Sequence, residues 1–419
     1  MDVVALVIFG GALAVIALEW AHRTKVVLAG AALMVLLGIL DQEQAIESID
    51  WATLGLLAGM MIIVALVEPT GVFTFLAFRV AQLSQGNPVA LLFLLAGMTG
   101  VLSAFLDNLT AILLVVPITL LIADVLRISA IPLVLTEVIA SNIGGTATLI
   151  GDPPNILIGA RVDELSFNDF IVNLAPVSLL TLVTVTGLLA LLYRRSLTVD
   201  PERAREIAKI DAARDLRQAR NVKRSLAVLG GTIVAFFLHV PLHVEPAVVA
   251  LAGATVMLIV AADDVEKALE RVEWATLFFF VGLFVMVGGL VERGIIDDVA
   301  TWLADVTGGS SVAQGMVILW GSAGGSALVD NIPFTTAMLP VVERIQGAEF
   351  NDGLWWSLSL GACFGGNATM IAAAANVAAT GILDRTGRKV SFVRFLAVGL
   401  PVTMVSLLIA SAYLLLFQL

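Results

Sequence analysis

Apolar residues fill long unbroken stretches of this chain instead of alternating with polar ones. They run at roughly 3–18, 25–40, 52–67, 89–106, 109–123, 131–150, 168–193, 225–241, 245–261, 275–291, 312–329, 332–343, 354–378 and 392–418. A membrane helix needs about 20 such residues, so the pattern predicts an all-α polytopic membrane protein in one bundle. Composition agrees: 59% of the 419 residues are hydrophobic and 14% charged, with a mean hydropathy of +1.00. Soluble domains hold about 45–50% apolar and about 25% charged residues. No Lys or Arg precedes the first stretch and no small-residue cleavage site follows it, so it reads as a retained helix rather than a signal peptide.

The pattern is written twice. AIESIDWATL (45–54) returns as ALERVEWATL (268–277), an offset of 223, and Gly30 and Met34 return as Gly253 and Met257. FLDN (105–108) returns as LVDN (328–331), and Pro117 as Pro340. IGGTATLI (143–150) returns as FGGNATMI (364–371), with Asn155 matched to Asn376, at an offset of 221. The predicted organisation is repeat 1 over 1–193, a charged linker over 194–224, and repeat 2 over 225–419.

In each repeat two apolar arms flank an Asp-Asn pair, at about 88–125 and about 312–343. Charged and amide groups between short arms suit a re-entrant hairpin better than two crossings. That leaves five crossings per repeat, an odd number, so the repeats are expected to be inverted. The linker holds ten of the 23 Lys and Arg and is placed in the cytoplasm. Threading then puts Arg23, Lys25, Arg79, Arg127, Lys267, Arg271, Arg385, Arg388, Lys389 and Arg394 inside, against Arg161, Arg293 and Arg344 outside. Both termini are predicted outside the cytoplasm, and charge alternation in the linker predicts a surface helix.

Polar side chains at membrane depth mark the candidate site, because a charge there costs from about 2.5 kcal/mol upward. Asp107-Asn108 and Asp330-Asn331 occupy equivalent tips, followed by Thr110 and Thr335. They could cap the second arms, bind a solute, or do both. The second element is a broken helix in each repeat, at about 131–160 and about 353–378. Gly144, Gly145 and Thr146 correspond there to Gly365, Gly366 and Asn367, with Asn142, Thr148 and Thr369 nearby. Glycine frees the backbone and allows close approach to a ligand, or serves a packing kink. Asp152-Pro153-Pro154 align with Ala373-Ala374-Ala375, and Glu137 with Leu358, so both acids belong to one repeat. A single acid beside a pseudo-symmetric site is a candidate proton or cation carrier, with Asp152 ahead of Glu137; Asp152 could equally cap a helix near water.

Other chemistry is sparse. Cys363 is the only cysteine, which excludes an intramolecular disulfide and a thiolate cluster. His22, His239 and His243 fall at predicted helix ends and read as interfacial residues rather than metal ligands. No P-loop, GxGxxG or HExxH pattern appears, so no cofactor is expected. An intramembrane aspartyl protease would want Gly-x-Gly-Asp where the chain reads Leu149-Ile150-Gly151-Asp152. A passive channel stays open as a different class. No Lys or Arg falls within the tips or breaks, which favours cations or small hydroxylated solutes.

SNIGGTATLIGDPPN with an upstream DN-x-T resembles the ArsB/NhaD branch of the ion transporter superfamily, close to its P-protein-like permeases. The resemblance spans nearly the whole chain. It implies inverted repeats, re-entrant hairpins, unwound helices and secondary transport, with solute held between tips and breaks. Dicarboxylate members carry Ser-Asn-Thr at these places, and this chain does not. Arsenite or antimonite efflux and sodium–proton exchange both stay open, with sodium at Asp107 and Asp330 in the second case. The coupling ion would be H⁺ or Na⁺. The resemblance leans towards proton-coupled metalloid efflux across a cell (inner) membrane. Implied partners are the lipid bilayer, a small inorganic solute, a second copy of the chain, and a cytoplasmic partner such as an ATPase subunit, with no nucleic acid.

Overall fold

In the computed structural model, residues 1–18, 20–195, 197, 211–213, 216, 221–347 and 350–419 are described. The surface helix expected in the 194–224 linker lies largely outside them. The described secondary structure is all helical. Setting aside the 3-10 turn Glu68–Thr70 and the one-turn helix His239–Leu242, the helices among the described residues form two series of ten. The first is α1 (Asp2–Ala17), α2 (Arg23–Leu36), α3 (Gln42–Glu47), α4 (Trp51–Val67), α5 (Val72–Leu83), α6 (Pro88–Phe105), α7 (Asn108–Leu126), α8 (Ala130–Gly145), α9 (Pro153–Arg161) and α10 (Phe167–Tyr193). The second is α11 (Val222–Phe237), α12 (Pro246–Ala261), α13 (Val265–Glu270), α14 (Trp274–Glu292), α15 (Ile295–Thr307), α16 (Ser311–Leu328), α17 (Asn331–Gln346), α18 (Asp352–Gly365), α19 (Ala374–Arg385) and α20 (Phe392–Phe417). From α2 to α7 each start recurs 223 residues later, the offset read in the sequence.

Packing across the halves is reciprocal. Helix α4 packs on α12 and α14 on α2; α7 packs on α19 and α17 on α9. Ion pairs follow the same rule. Arg161, at the end of α9, grips Glu343 on α17 with Nε at 2.6 Å and Nη2 at 3.1 Å. Arg388, just past α19, pairs with Asp124 on α7. Two copies of one unit related by a pseudo-two-fold axis produce contacts of this kind.

Six described helices or helical stretches are long and apolar enough to cross a membrane: Trp51–Thr70, α6, α7, α10, α14 and α20. Arm length alone would therefore let α6 or α7 cross. Helices α6–α7 and α16–α17 each form a helical hairpin, and the tip residues Asn108 and Asn331 line one common cleft. Helices α5 and α15 were not among the expected apolar stretches. They are amphipathic, and they pack against the hairpin arms α6–α7 and α16–α17.

Helices α8 and α18 are buried almost all round, and small residues let the hairpins approach them. A Cβ on Gly144 would sit on the Gly100 backbone, and one on Gly365 would lie 2.6 Å from the Ala323 Cα. At the same crossings Ser103 Oγ donates to the Ser141 carbonyl and Ser326 Oγ to that of Ala362, each at 2.7 Å. His239 departs from the interfacial reading: it is buried, and its Nε2 accepts the Phe167 N–H at 3.1 Å, at the start of α10.

Candidate solute site between the hairpin tips

Each helix break is held open by one asparagine. Asn155 Nδ2 donates to the carbonyls of Thr146 (2.9 Å) and Thr148 (2.8 Å); Asn376 Nδ2 donates to those of Gly366 (2.7 Å) and Thr369 (2.8 Å). Backbone groups freed by an interrupted helix need partners inside a membrane, and these amides supply them. The oxygens of both clamps are met from the opposite repeat. Ser359 Oγ donates to Asn155 Oδ1 at 2.5 Å, and Asn142 Nδ2 to Asn376 Oδ1 at 3.1 Å and Asn367 Oδ1 at 2.9 Å.

The tips rest on this network by different partners. Asp107 caps α7 through the Thr110 N–H and accepts the Thr110 hydroxyl; Asp330 caps α17 through the Ile332 N–H at 3.0 Å. Asn108 Nδ2 donates to Asn142 Oδ1 at 3.1 Å, within its own repeat. Asn331 Nδ2 crosses to Asp152 Oδ1 of the other repeat, also at 3.1 Å. Asp152 is fully buried and its Oδ2 has no hydrogen-bond partner.

Between the tips lies a cleft with a free volume of about 20 Å³, room for one water or one ion. Asp107, Asn108 and Asn331 line it, together with Pro153 and Ala374, the first residues of α9 and α19. Arg23, Glu273 and Thr276 add polar groups to it, and apolar side chains such as Leu57 and Met61 close the rest. Six helices thus start at one point: α2, α7, α9, α14, α17 and α19. Helix starts carry partial positive charge and Arg23 adds a full one, and both favour Asp107, Asp330 and Glu273 gathering there.

Not every candidate side chain reaches the cleft. Thr148 and Thr369 donate to the carbonyls of Ala104 and Ala327, fastening each break to its hairpin. Thr146 and Thr335 bond back to Asn142 and Asn331 carbonyls in their own helices. Gly144 and Gly365 serve helix packing, while Gly145 packs on the Gly151 carbonyl and Gly366 lies against the Cys363 carbonyl. Asn142 and Asn367 sit behind the tips in the amide network. Glu137 stands apart, accepting the Thr119 hydroxyl at 2.6 Å in a cluster of apolar side chains, with its Oε2 unpartnered.

Arg23 was not among the candidate site residues of the sequence, and the fold brings it to the tips. Its Nη1 lies 3.5 Å from Asp330 Oδ2 and its guanidinium 5.1 Å from the centre of the Phe279 ring. A cation therefore does stand at the tips. Glu273 and Thr276, bonded to each other at 3.1 Å, were visible only as part of the repeated ALERVEWATL block.

The family model and the relatives that match this chain make it a multi-pass membrane transporter of the ion transporter superfamily. The chain belongs to the CitMHS (citrate transporter) family, whose model matches residues 13–361. It is 41% identical over 422 residues to an uncharacterized transporter of Mycobacterium tuberculosis, covering 99% of this chain and 98% of that one. It is 33% identical to the P protein of Homo sapiens over 98% of this chain and 59% of the relative, in keeping with the P-protein-like resemblance. The crystal structure of the YdaH transporter of Alcanivorax borkumensis shares the fold, with a TM-score of 0.59 over 93% of this chain and 95% of that one, at 17% identity.

Proposed function

We propose that the protein is a proton-coupled secondary transporter that exports a small inorganic solute of the arsenite or antimonite type by alternating access. The observation that carries this reading is the cleft of carboxyl and amide groups between the tips, with the buried carboxyl of Asp152 one hydrogen bond behind Asn331. Asp107, Asn108 and Asn331 offer the oxygens and amides that a trihydroxide or a hard cation accepts. Asp152 is the proton-exchanging group: it has a bare oxygen and no counterpart in the second repeat, where Ala373 stands. Sodium is the alternative cargo for the same oxygens. Arg23 supports a second reading, transport of a carboxylate anion, as the family's description suggests.

The test is transport in proteoliposomes under an imposed pH gradient, with arsenite, sodium and citrate offered separately. Arsenite driven by the gradient supports the first reading. Movement of sodium alone or citrate alone replaces the cargo, and indifference of all three to the gradient sinks proton coupling.

A further inference from the structure

We propose that Asn331 is a positioning residue that couples the cleft to Asp152 by turning its side-chain amide over, so that protonation of Asp152 inverts the polarity presented to the solute. The inference rests on the assignment of Asp152 as the proton-exchanging group.

The two tip asparagines are wired differently. Asn108 begins a chain of amides in which each nitrogen donates to the next oxygen: Asn108 to Asn142, Asn142 to Asn376, and Asn376 to the Gly366 and Thr369 carbonyls. Backbone carbonyls only accept, so every amide in that chain is fixed in one orientation. Asn331 instead faces a carboxyl. An ionised carboxylate only accepts, so it holds the amide nitrogen at 3.1 Å and leaves the amide oxygen to the cleft that Asn331 lines. One proton from water in the open compartment forms an O–H bond at the unpartnered Oδ2, and a half-turn of the carboxyl group then brings that O–H to face Asn331 in place of Oδ1, so that Asp152 becomes a donor to the amide. The amide can then present its oxygen to Asp152 and its N–H to the cleft. The ionisable groups facing Asp152 are the Cys363 thiol on α18 and Asp330 and Asp107 at the tips, with Arg23 paired to Asp330.

The sign of coupling follows. A cation or a hydroxylated solute needs the amide oxygen and is released by protonation, which gives exchange against protons. An anion needs the N–H and is bound on protonation, which gives cotransport. The same switch thus serves opposite coupling for opposite solute charge.

The experiment compares uptake of arsenite, sodium and citrate over a pH series in proteoliposomes of the wild type, Asn331→Leu and Asn108→Leu, both of matched shape. Wild-type uptake should change with pH at up to about ten-fold per unit, the limit for one proton. Asn331→Leu should flatten the dependence to less than about two-fold on that same scale, whereas Asn108→Leu should lower uptake and keep the wild-type slope. A wild-type slope in Asn331→Leu overturns the inference alone; a flat wild type overturns the Asp152 assignment as well. If Asn331→Leu does not fold, infrared difference spectra of wild-type protein with labelled asparagine decide. An asparagine C=O band should move together with the Asp152 carboxyl band, and an unmoved band overturns the switch.

Discussion

Arg23 Nη1 lies 3.5 Å from Asp330 Oδ2, so the first residue of α2 in one repeat holds the hairpin tip of the other. The position equivalent to Arg23 is Pro246, so the first tip has no such partner. The cleft is therefore electrostatically lopsided within a nearly two-fold frame.

Arg23→Gln removes the cation and keeps hydrogen-bonding capacity. A lost charged hydrogen bond costs about 1.5–3 kcal/mol, so citrate uptake, where it occurs, should fall about ten-fold or more. Arsenite or sodium uptake should hold or rise. Equal loss for all three solutes in the liposome assay would show that Arg23 acts only as a structural tie.

Asn142→Leu should destabilise the protein by about 2–4 kcal/mol, because buried partners at Asn108, Asn367 and Asn376 are left unsatisfied together. Thermal unfolding in detergent measures this. A change below about 0.5 kcal/mol, the usual range for surface substitutions, would mean that the two repeats are not tied through this amide.

Gly144→Ala places a methyl on the Gly100 backbone and should cost about 1–3 kcal/mol or more, visible as loss of monodisperse protein. Gly97→Ala, one turn before Gly100 on the same helix, meets nothing within 4 Å and should be neutral. Equal behaviour of the two variants would remove the close α6–α8 contact as a determinant.

Thr119→Val leaves Glu137 without its hydroxyl donor and should cost about 1–3 kcal/mol. The double variant Thr119→Val with Glu137→Leu copies the second repeat, which has Val342 and Leu358, and should recover most of that loss. If the double variant also keeps pH-driven transport, Glu137 is not the coupling group and Asp152 remains.

Reporter fusions at both ends should place the N- and C-termini outside the cytoplasm. A cytoplasmic signal from either one contradicts the five-crossing threading.

Much of this was legible in the sequence because it rests on local patterns. Long apolar stretches are helices in lipid, since the backbone has no other partner there, and duplication of the chain is a matter of letters. The tip pairs Asp107-Asn108 and Asp330-Asn331 stood out for the same reason, as polar groups where apolar ones belong. Helices α5 and α15 were missed because amphipathic segments lack a continuous apolar run. Arg23 and Glu273 were missed because, read along the chain, each is an ordinary charged residue beside a helix start.

The sequence by itself determined the helical membrane class, the twofold repetition and the asymmetry of Asp152 and Glu137. Only the tertiary structure decided which polar atoms meet. Whether a threonine faces a solute or a backbone carbonyl, and whether a tip asparagine finds an amide or an acid, depends on contacts between residues from a few to nearly two hundred positions apart. Asn331 and Asp152 are one such pair, 179 residues apart and 3.1 Å across.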